Sequence, residues 1–142
     1  MVKQISVFLE NKAGRLGKVT QVLGENKINI RALSIADTSD FGILRLIVND
    51  PDRAYQVLKS NGFTVSSTEV LAVQVPDTPG GLAEVLTIMG EGNINIEYLY
   101  AFIGTTSKDA LVMFKVADPV QALAYCQEHK VVFLTAEQVY SL

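Results

Sequence analysis

The sequence predicts an α+β fold in which two ferredoxin-like βαββαβ units pack side by side, each with an antiparallel sheet and helices on one face. Two observations support this fold: the chain repeats itself at a spacing of 66 residues, and both copies show the same order of strand-like and helix-like segments. Of the twenty positions from Gly14 to Leu33, nine recur in Gly80 to Leu99. The repeated residues are mostly glycines and apolar residues with one Asn, which indicates a duplicated folding unit that carries a polar site.

The length of the chain, 142 residues, suits two units of about 70 residues each. We place unit one at residues 1–67 and unit two at residues 68–142, with the boundary in the polar segment 66–68. A unit this short buries only a modest share of its surface, so each unit is expected to lean on the other. The boundary holds no flexible linker, which favours rigid packing.

Four strand-like segments are predicted in each unit. They lie at 5–9, 28–36, 43–48 and 63–66 in unit one, and at 71–75, 94–103, 111–116 and 131–134 in unit two. The C-terminal tail is expected to extend the last of these. Turns at 37–42 and 104–109 separate the second and third strands, and two extra residues in the second turn shift the repeat to 68.

The first helix of each unit is predicted from an apolar stripe of helical period, at 16–23 and at 82–89. Gly24 and Gly90 are expected to end these helices, because a left-handed residue is favoured there.

The second helix of each unit is predicted from an Asp–Pro pair, Asp50–Pro51 in unit one and Asp118–Pro119 in unit two. Asp caps the start of a helix, and Pro suits the first helical position. Gly62 is expected to follow the end of the second helix in unit one.

The charge of the chain argues against a nucleic-acid partner. The net charge is −3, and an acidic total lacks the clustered cations that bind phosphates. The first 68 residues hold nine Lys and Arg against six Asp and Glu, whereas the rest hold three against nine. This asymmetry favours electrostatic attraction between the two halves, or between one chain and a second chain packed head to tail. Solvated surface charge explains the asymmetry equally well.

The sequence is typical of a cytoplasmic protein with no membrane partner. Cys126 is the single cysteine, so no internal disulfide can form. No targeting segment precedes the first predicted strand, and no apolar run approaches the ~20 residues of a membrane span.

The polar chemistry of the repeat lies at the turn between the first strand and the first helix. Gly14 and Gly80 let the backbone approach a ligand closely, and the start of a helix offers unpaired N–H groups to a carboxylate. Asn11 and Asp77 open these turns with acceptor oxygens. Each residue alone would be ordinary turn chemistry, but the recurrence of the whole arrangement favours a site for a small zwitterion.

A carboxamide completes the predicted arrangement in each unit. Asn29 and Asn95 stand at the starts of the second strands, and we expect them near the same sheet edge as the turns. An amide both donates and accepts hydrogen bonds, so it suits either end of a zwitterion.

The motif Asp77-x-Pro79-Gly80-x-Leu82, followed by Gly92-Asn93-Ile94-Asn95-Ile96, resembles the ACT domain. Unit one resembles it through Ala13-Gly14-x-Leu16 and Asn26-Lys27-Ile28-Asn29-Ile30. The resemblance covers the whole chain as a tandem pair and is strongest to small stand-alone double-ACT proteins. It implies regulatory units that bind amino acids and pair as an eight-stranded sheet, with ligands between the first turn of one unit and the second strand of the other.

Carried over residue by residue, the resemblance implies ligand contacts at both turns and at both second strands. These contacts are Asn11, Ala13, Gly14, Arg15, Leu16, Asn29, Ile30, Asp77, Pro79, Gly80, Gly81, Leu82, Asn95 and Ile96. The implied function is a non-catalytic regulatory module that binds a small amino acid and signals through assembly, as a homodimer, or through an amino-acid metabolic enzyme. No cofactor is implied.

Two other functions stay open. The chain could be a regulatory subunit that binds no ligand and docks onto an amino-acid biosynthetic enzyme, or a small enzyme on the same scaffold. The sequence offers no arrangement of nucleophile and base around its single histidine, and no phosphate-binding loop.

Two further patterns favour structural interpretations. Cys126 and His129 lie three residues apart on a predicted helix, but two ligands are too few for a metal site. Tyr98, Tyr100 and Phe102 alternate along one strand as in some RNA-binding platforms, yet basic residues are scarce nearby. We interpret these aromatic residues as part of an interface between units or as the wall of a ligand site.

The two units should bind an amino acid unequally. Asp77 can hold an ammonium group by a charge-assisted hydrogen bond where Asn11 offers a neutral one, and Arg15 replaces Gly81. Titration calorimetry is expected to give either one site per chain or two sites of different affinity. Two identical independent sites would contradict the prediction.

Overall fold

The computed structural model of the protein describes residues 1–37, 40–102 and 109–142, with the side chain of Asp37 left out. The elements, in chain order, are β1 Val2–Glu10, α1 Arg15–Glu25, β2 Ile30–Asp37, β3 Phe41–Val48, α2 Pro51–Ser60, β4 Thr64–Pro76, α3 Gly81–Glu91, β5 Ile96–Ala101, β6 Asp109–Val116, α4 Pro119–Glu128, β7 Val132–Leu134 and α5 Ala136–Tyr140. None of the described helices is long and apolar enough to cross a membrane. The order confirms the predicted βαββαβ repeat.

A single long strand, β4, belongs to both units. Its first part pairs with β1 up to the match of Val70 with Val2. From Leu71 onward it pairs with β6 on one edge, and it pairs with β7 on the other. The last strand of unit one and the first strand of unit two are therefore continuous, and the described parts of the chain contain seven strands where two separate units would have eight. The predicted boundary at 67/68 falls inside this strand.

The sheet curls until its two edge strands meet. The strand order is β2-β3-β1-β4-β6-β5, and Ala32 of β2 forms an antiparallel bridge with Phe102 just beyond β5. Residues 71, 73 and 75 of β4 face α3 and α4, as Ile5, Val7 and Leu9 of β1 face α1 and α2. Helices α1 to α4 therefore cover one face of the curled sheet, which confirms the predicted arrangement of helices on one face.

The helix-free face of the sheet forms a third core between the two units. Its buried residues come from both units and from α5: Val2, Ala32, Ile47, Val70, Ala72, Tyr100, Met113 and Val139. Tyr98 and Phe102 pack against this core. The interpretation of the alternating aromatic residues as an interface between units is thus confirmed.

A polar cluster sits in this third core and consists of Gln4, Ser6, Arg45, Tyr98 and Tyr100. The Gln4 side chain is fully buried; its Nε2 donates to Ser6 Oγ at 3.0 Å and to Tyr98 OH at 2.8 Å. Its Oε1 accepts from Tyr100 OH at 2.7 Å. The Arg45 guanidinium lies 3.8 Å from the centre of the Tyr98 ring. Burial, with a contribution from Tyr98, raises the pKa of Tyr100 well above its ordinary value, so its hydroxyl remains a donor.

Helix starts follow the sequence closely. Asp50 accepts from the N–H of Arg53, and Asp118 accepts from the N–H of Gln121, so both Asp–Pro pairs begin helices as predicted. Gly62 follows α2 with φ of 84°, as expected for a residue after a helix end.

Two expectations about chain ends and helix ends are wrong. Gly24 and Gly90 lie inside α1 and α3, and the left-handed residues are Lys27 and Asn93, three positions later. The C-terminal tail forms α5 instead of extending β7, because Thr135 and Gln138 build a reciprocal capping box that starts a helix. The predicted turn at 104–109 falls almost wholly outside the described residues.

The glycines differ in what they would tolerate, which gives a matched pair of variants. A Cβ on Gly81 would lie 2.0 Å from the carbonyl oxygen of Pro76, whereas one on Gly24 would meet nothing within 4 Å. Gly81→Ala should destabilise the protein by about 1–3 kcal/mol or more through overpacking. Gly24→Ala should stabilise it by about 0.5–1 kcal/mol, since helical Gly is unfavourable. Urea unfolding of both variants measures the difference, and a destabilising Gly24→Ala together with a neutral Gly81→Ala would refute it.

Candidate functional site

The first turn of unit one lies beside a cleft of about 210 Å³, called here the turn cleft. Its lining comes from the end of β1, the turn, the start of α1 and the facing ends of β2 and β3: Leu9, Glu10, Asn11, Lys12, Arg15, Leu16, Ile35 and Gly42. The structure brings Asn11, Arg15 and Leu16 together here, three of the residues predicted from the sequence. The Asn11 N–H donates to the carbonyl of Asp40 at 3.0 Å, which ties the turn to the start of β3.

The helices at the two duplicated turns begin without a side-chain cap. Gly14 and Gly80 occupy the N-cap positions of α1 and α3 in the left-handed conformation, with φ of 88° and 84°, and among the described residues no side chain caps either helix. By contrast α2, α4 and α5 are capped by their own Asp or Thr side chains. The N–H groups of Arg15 and Gly81 donate to the carbonyls of Lys12 and Thr78 at 3.3 and 2.9 Å, and the N–H groups that follow them in each first turn are directed outward from the helix, where an anion is stabilised.

Arg15 is the first residue of α1 and brings a cation to the turn cleft. Its guanidinium lies 5.2 Å from the centre of the Phe63 ring, which holds the side chain against unit one. Its Nε is shielded from solvent and has no hydrogen-bond partner in the part of the chain that the structure describes. A carboxylate in the cleft would meet both this side chain and the start of the helix.

The rim of the turn cleft carries a pair of opposite charges. Glu10 and Lys12 form an exposed ion pair at 2.9 Å. The hydrogen bond from Lys12, followed by its charge, lowers the pKa of Glu10, so this carboxylate is ionised near neutral pH. Leu16 and Ile35 supply apolar surface and are 40% and 48% exposed, which leaves room for a ligand to cover them.

The turn of unit two is built differently. Asp77, Pro79, Gly80 and Leu82 are exposed, but Gly81 is buried against the Pro76 carbonyl. The cleft of about 160 Å³ beside α3 is lined by Pro76 and Glu84 together with Gln74, Val85, Ile88, Asp109, Lys130, Val131 and Val132. It contains none of the contacts predicted for unit two.

The two strand-start carboxamides lie far from the turn of their own unit, so the expectation of a shared sheet edge is wrong. Glu10 pairs with Phe41 at one end of β3, whereas Ile30 pairs with Val48 at the other end. Seven residues of strand separate them, about 23 Å. The reason is that α1 carries the chain back along the whole sheet before β2 begins.

The carboxamides also differ in their backbone ties. The N–H of Asn29 donates to Asn49 Oδ1 at 2.9 Å, and its carbonyl accepts from the N–H of Asn49 at 3.1 Å. The carbonyl of Asn95 accepts from the N–H of Ala117, whose methyl side chain cannot accept a hydrogen bond in return. Both Asn29 and Asn95 are exposed, and Ile30 and Ile96 beside them are half-buried.

Sequence reasoning missed two parts of this arrangement. Glu10, Lys12 and Ile35 line the turn cleft, but they have no identical counterparts in unit two that could have drawn attention to them. Gln4 was missed because its importance depends on partners about 95 residues away. No pattern in the sequence indicates it, because Gln4 precedes the predicted strand 5–9 and lies opposite the apolar face of Ile5, Val7 and Leu9, where a polar residue is ordinary.

Comparison with known proteins is consistent with this architecture. The family model described as "ACT domain pair" matches residues 1–142. The chain is 43% identical to protein BT0572 from Bacteroides thetaiotaomicron, with a TM-score of 0.93 over 99% of this chain and 96% of that one. No curated protein matches the chain.

Two more distant structures share the fold. The regulatory subunit of aspartate kinase from Thermus thermophilus, in its ligand-free form, is 18% identical with a TM-score of 0.64, over 90% of this chain and 92% of that one. The regulatory subunit of aspartate kinase from Thermus flavus is 18% identical with a TM-score of 0.59 over the same shares.

The pair Cys126 and His129 does not converge on a common point. Cys126 is completely buried in the core of unit two, where burial raises the pKa of its thiol. His129 is exposed, and its ring stacks on Tyr125 at 4.0 Å. Within the described ranges, no group of three or more His, Cys, Asp or Glu side chains could hold a metal ion.

Burial should keep Cys126 unreactive in the folded protein. A buried thiol with a raised pKa is neither accessible nor ionised near neutral pH, so a thiol reagent should label it only after unfolding. Labelling followed by mass spectrometry, with and without urea, checks this. Fast labelling of the native chain would show that unit two opens at α4.

Proposed function

We propose that the chain, which belongs to the family of ACT domain pairs, is a non-catalytic regulatory module that binds a small amino acid where its two units meet. The observation that carries this proposal is the contrast between helix starts. Three helices are capped by the protein's own side chains, while the two at the duplicated turns begin at left-handed glycines without caps among the described residues. A ligand carboxylate can take the place of the missing caps.

The turn cleft suits each part of an α-amino acid. The carboxylate would meet the N–H groups that follow Arg15 in the first turn of α1 and the Arg15 side chain. The ammonium group would meet Glu10 and the side chain of Asn11, and a small side chain would cover Leu16 and Ile35. The contacts proposed for unit two, Asp77 through Leu82, follow from the repeat.

The curl of the sheet supports the participation of both units. Ala32 bridges Phe102 in antiparallel orientation, and continuing that register brings the start of β5 toward the end of β2 at Asp37. Asp37 pairs with Gly42, which lines the turn cleft. Asn95 and Ile96 would therefore complete the site at the turn of unit one, although they are distant from the turn of their own unit.

A module without catalytic residues can act only through what it contacts. A ligand shifts an equilibrium when it binds one arrangement better than another. Binding must therefore change either the assembly of this chain or its affinity for an enzyme. The two Thermus structures are regulatory subunits of aspartate kinase, which supports an amino-acid metabolic enzyme as the class of partner. Phe8 and Phe41, 48% and 56% exposed, offer apolar surface to a second copy in a homodimer.

The same exposed surface favours the alternative function, a regulatory subunit that docks onto a biosynthetic enzyme without binding a ligand. Phe8 and Phe41 lie on the helix-free face at the end of unit one. Such a role requires the apolar surface but not the uncapped helices.

A thermal-shift screen with the twenty amino acids separates the two functions. A ligand at 100 times its dissociation constant stabilises the folded state by about 2.7 kcal/mol, which shifts the melting temperature by several degrees. Arg15→Gln should reduce the shift from the amino acid that acts on the wild type, because it removes the cation of the turn cleft.

The matched control is Arg53→Gln, which removes one positive charge from the exposed face of α2, away from the turn cleft. It should keep the full shift. If none of the twenty amino acids moves the melting temperature of the wild type, the sensing function fails and the docking function gains.

A further inference from the structure

The side chain of Gln4 forms all its hydrogen bonds within the polar cluster, which consists of Gln4, Ser6, Arg45, Tyr98 and Tyr100. The amide accepts one hydrogen bond, from Tyr100, and donates two, to Tyr98 and Ser6, at distances of 2.7 to 3.0 Å. Gln4 and Ser6 belong to unit one, and both tyrosines belong to unit two. The bonds from Gln4 to the tyrosines therefore cross the junction between the units.

These hydrogen bonds are directional, whereas the surrounding apolar contacts are not. Apolar packing has no direction, and a shift of two residues between β5 and the facing strands would keep the same side chains inward. The edges of β2 and β5 are joined, in the ranges that the structure describes, by the single bridge of Ala32 with Phe102. β5 takes its register from β6, but backbone pairing at its junction with β2 is sparse, so directional side-chain bonds add to the register there.

The cluster also lies between the two halves of the site proposed above. β1 runs from Gln4 directly to Glu10 and the turn cleft. β5 begins at Ile96, two residues before Tyr98. Arg45 links the cluster to β3, the third strand that borders the turn cleft. This strand begins at Phe41 and Gly42, and it places Arg45 over the Tyr98 ring.

We propose that Gln4, Tyr98 and Tyr100 are positioning residues, which hold the start of β5 in register with the turn of unit one and so assemble the ligand site from two units. This inference rests on the proposed function for the ligand, but the positioning itself does not require a ligand to be measured. Breaking the bonds should loosen both halves of the site together while each unit stays folded.

The test uses the full chain with Gln4→Leu, Tyr98→Phe and Tyr100→Phe combined, which removes the polar groups and retains their approximate volume. Tyr100→Phe alone is the milder variant, in case the triple variant does not fold. Val48→Ala is the matched control, because Val48 is fully buried in the helix-side core of unit one at the end of β3 that lies away from the turn cleft. Amide hydrogen exchange, followed by mass spectrometry, is measured at 11–16 and 94–97.

The triple variant, or Tyr100→Phe in its place, is expected to raise exchange at both segments at least about tenfold while α2 keeps its protection. The control should leave the two segments unchanged. Equal exchange in the variant and the control, or an increase spread evenly over the chain, would overturn the positioning role and reduce the cluster to ordinary core packing.

A second measurement links the cluster to binding. Each of the twenty amino acids is tested by thermal shift at millimolar concentration against the wild type, the variant and the control. Loss of a wild-type shift in the variant alone supports the proposal, and an undiminished shift in the variant overturns it. If the wild type shows no shift at all, the proposed function has failed, and the exchange comparison still decides the positioning role.

Discussion

The continuity of β4 is the constraint on which the rest of the structure depends. One strand of thirteen residues pairs with β1 through Val70 and with β6 from Leu71 onward. Side chains of a strand alternate between two faces, so an uninterrupted strand fixes the faces of both units together. The odd positions of β4 face the helices in both units, and the helix-free faces must therefore lie on the same side.

Two helix-free faces on one side of a twisted sheet can bury each other only if the sheet curls. The curl brings the edge strands β2 and β5 into contact and creates the third core. This core differs from the two helix-side cores in its polar content, since Gln4 and Ser6 are buried there beside tyrosines. The helix-side cores stabilise each unit, whereas the third core determines how the units sit against each other.

The two copies of the repeat have diverged at the residues that surround the turns. Arg15 lines a cleft in unit one, whereas its counterpart Gly81 lies against a backbone carbonyl. The side chain of Asn49 accepts from the N–H of Asn29, whereas its counterpart Ala117 has no acceptor side chain. The backbone of the turn is the same in both units, with left-handed glycines before uncapped helices in the described chain. The two copies therefore share the backbone conformation of the turn and differ in the side chains around it.

Local chemistry explains most of what could be predicted. The Asp–Pro helix starts at 50–51 and 118–119 and the glycine turns at 14 and 80 depend on neighbours in sequence, and the structure agrees with them. The expectation for the C-terminal tail failed because a capping box, Thr135 with Gln138, outweighed the β-propensity of the preceding residues. The expectation for Asn29 failed because α1 returns along the whole sheet and so separates Asn29 from the turn that precedes it in the motif.

The duplicated βαββαβ order, the family resemblance and the turn residues can be predicted without a structure, because each depends on local pattern or on direct repetition. Three features became visible only in the folded chain: the strand that both units share, the contacts of Gln4 with Tyr98 and Tyr100, and the cleft beside the turn of unit one. These features depend on the register and curl of the sheet, which bring together residues about 95 positions apart. The alternation of apolar and polar residues within a single strand does not specify that register, because a shift of two residues preserves the alternation.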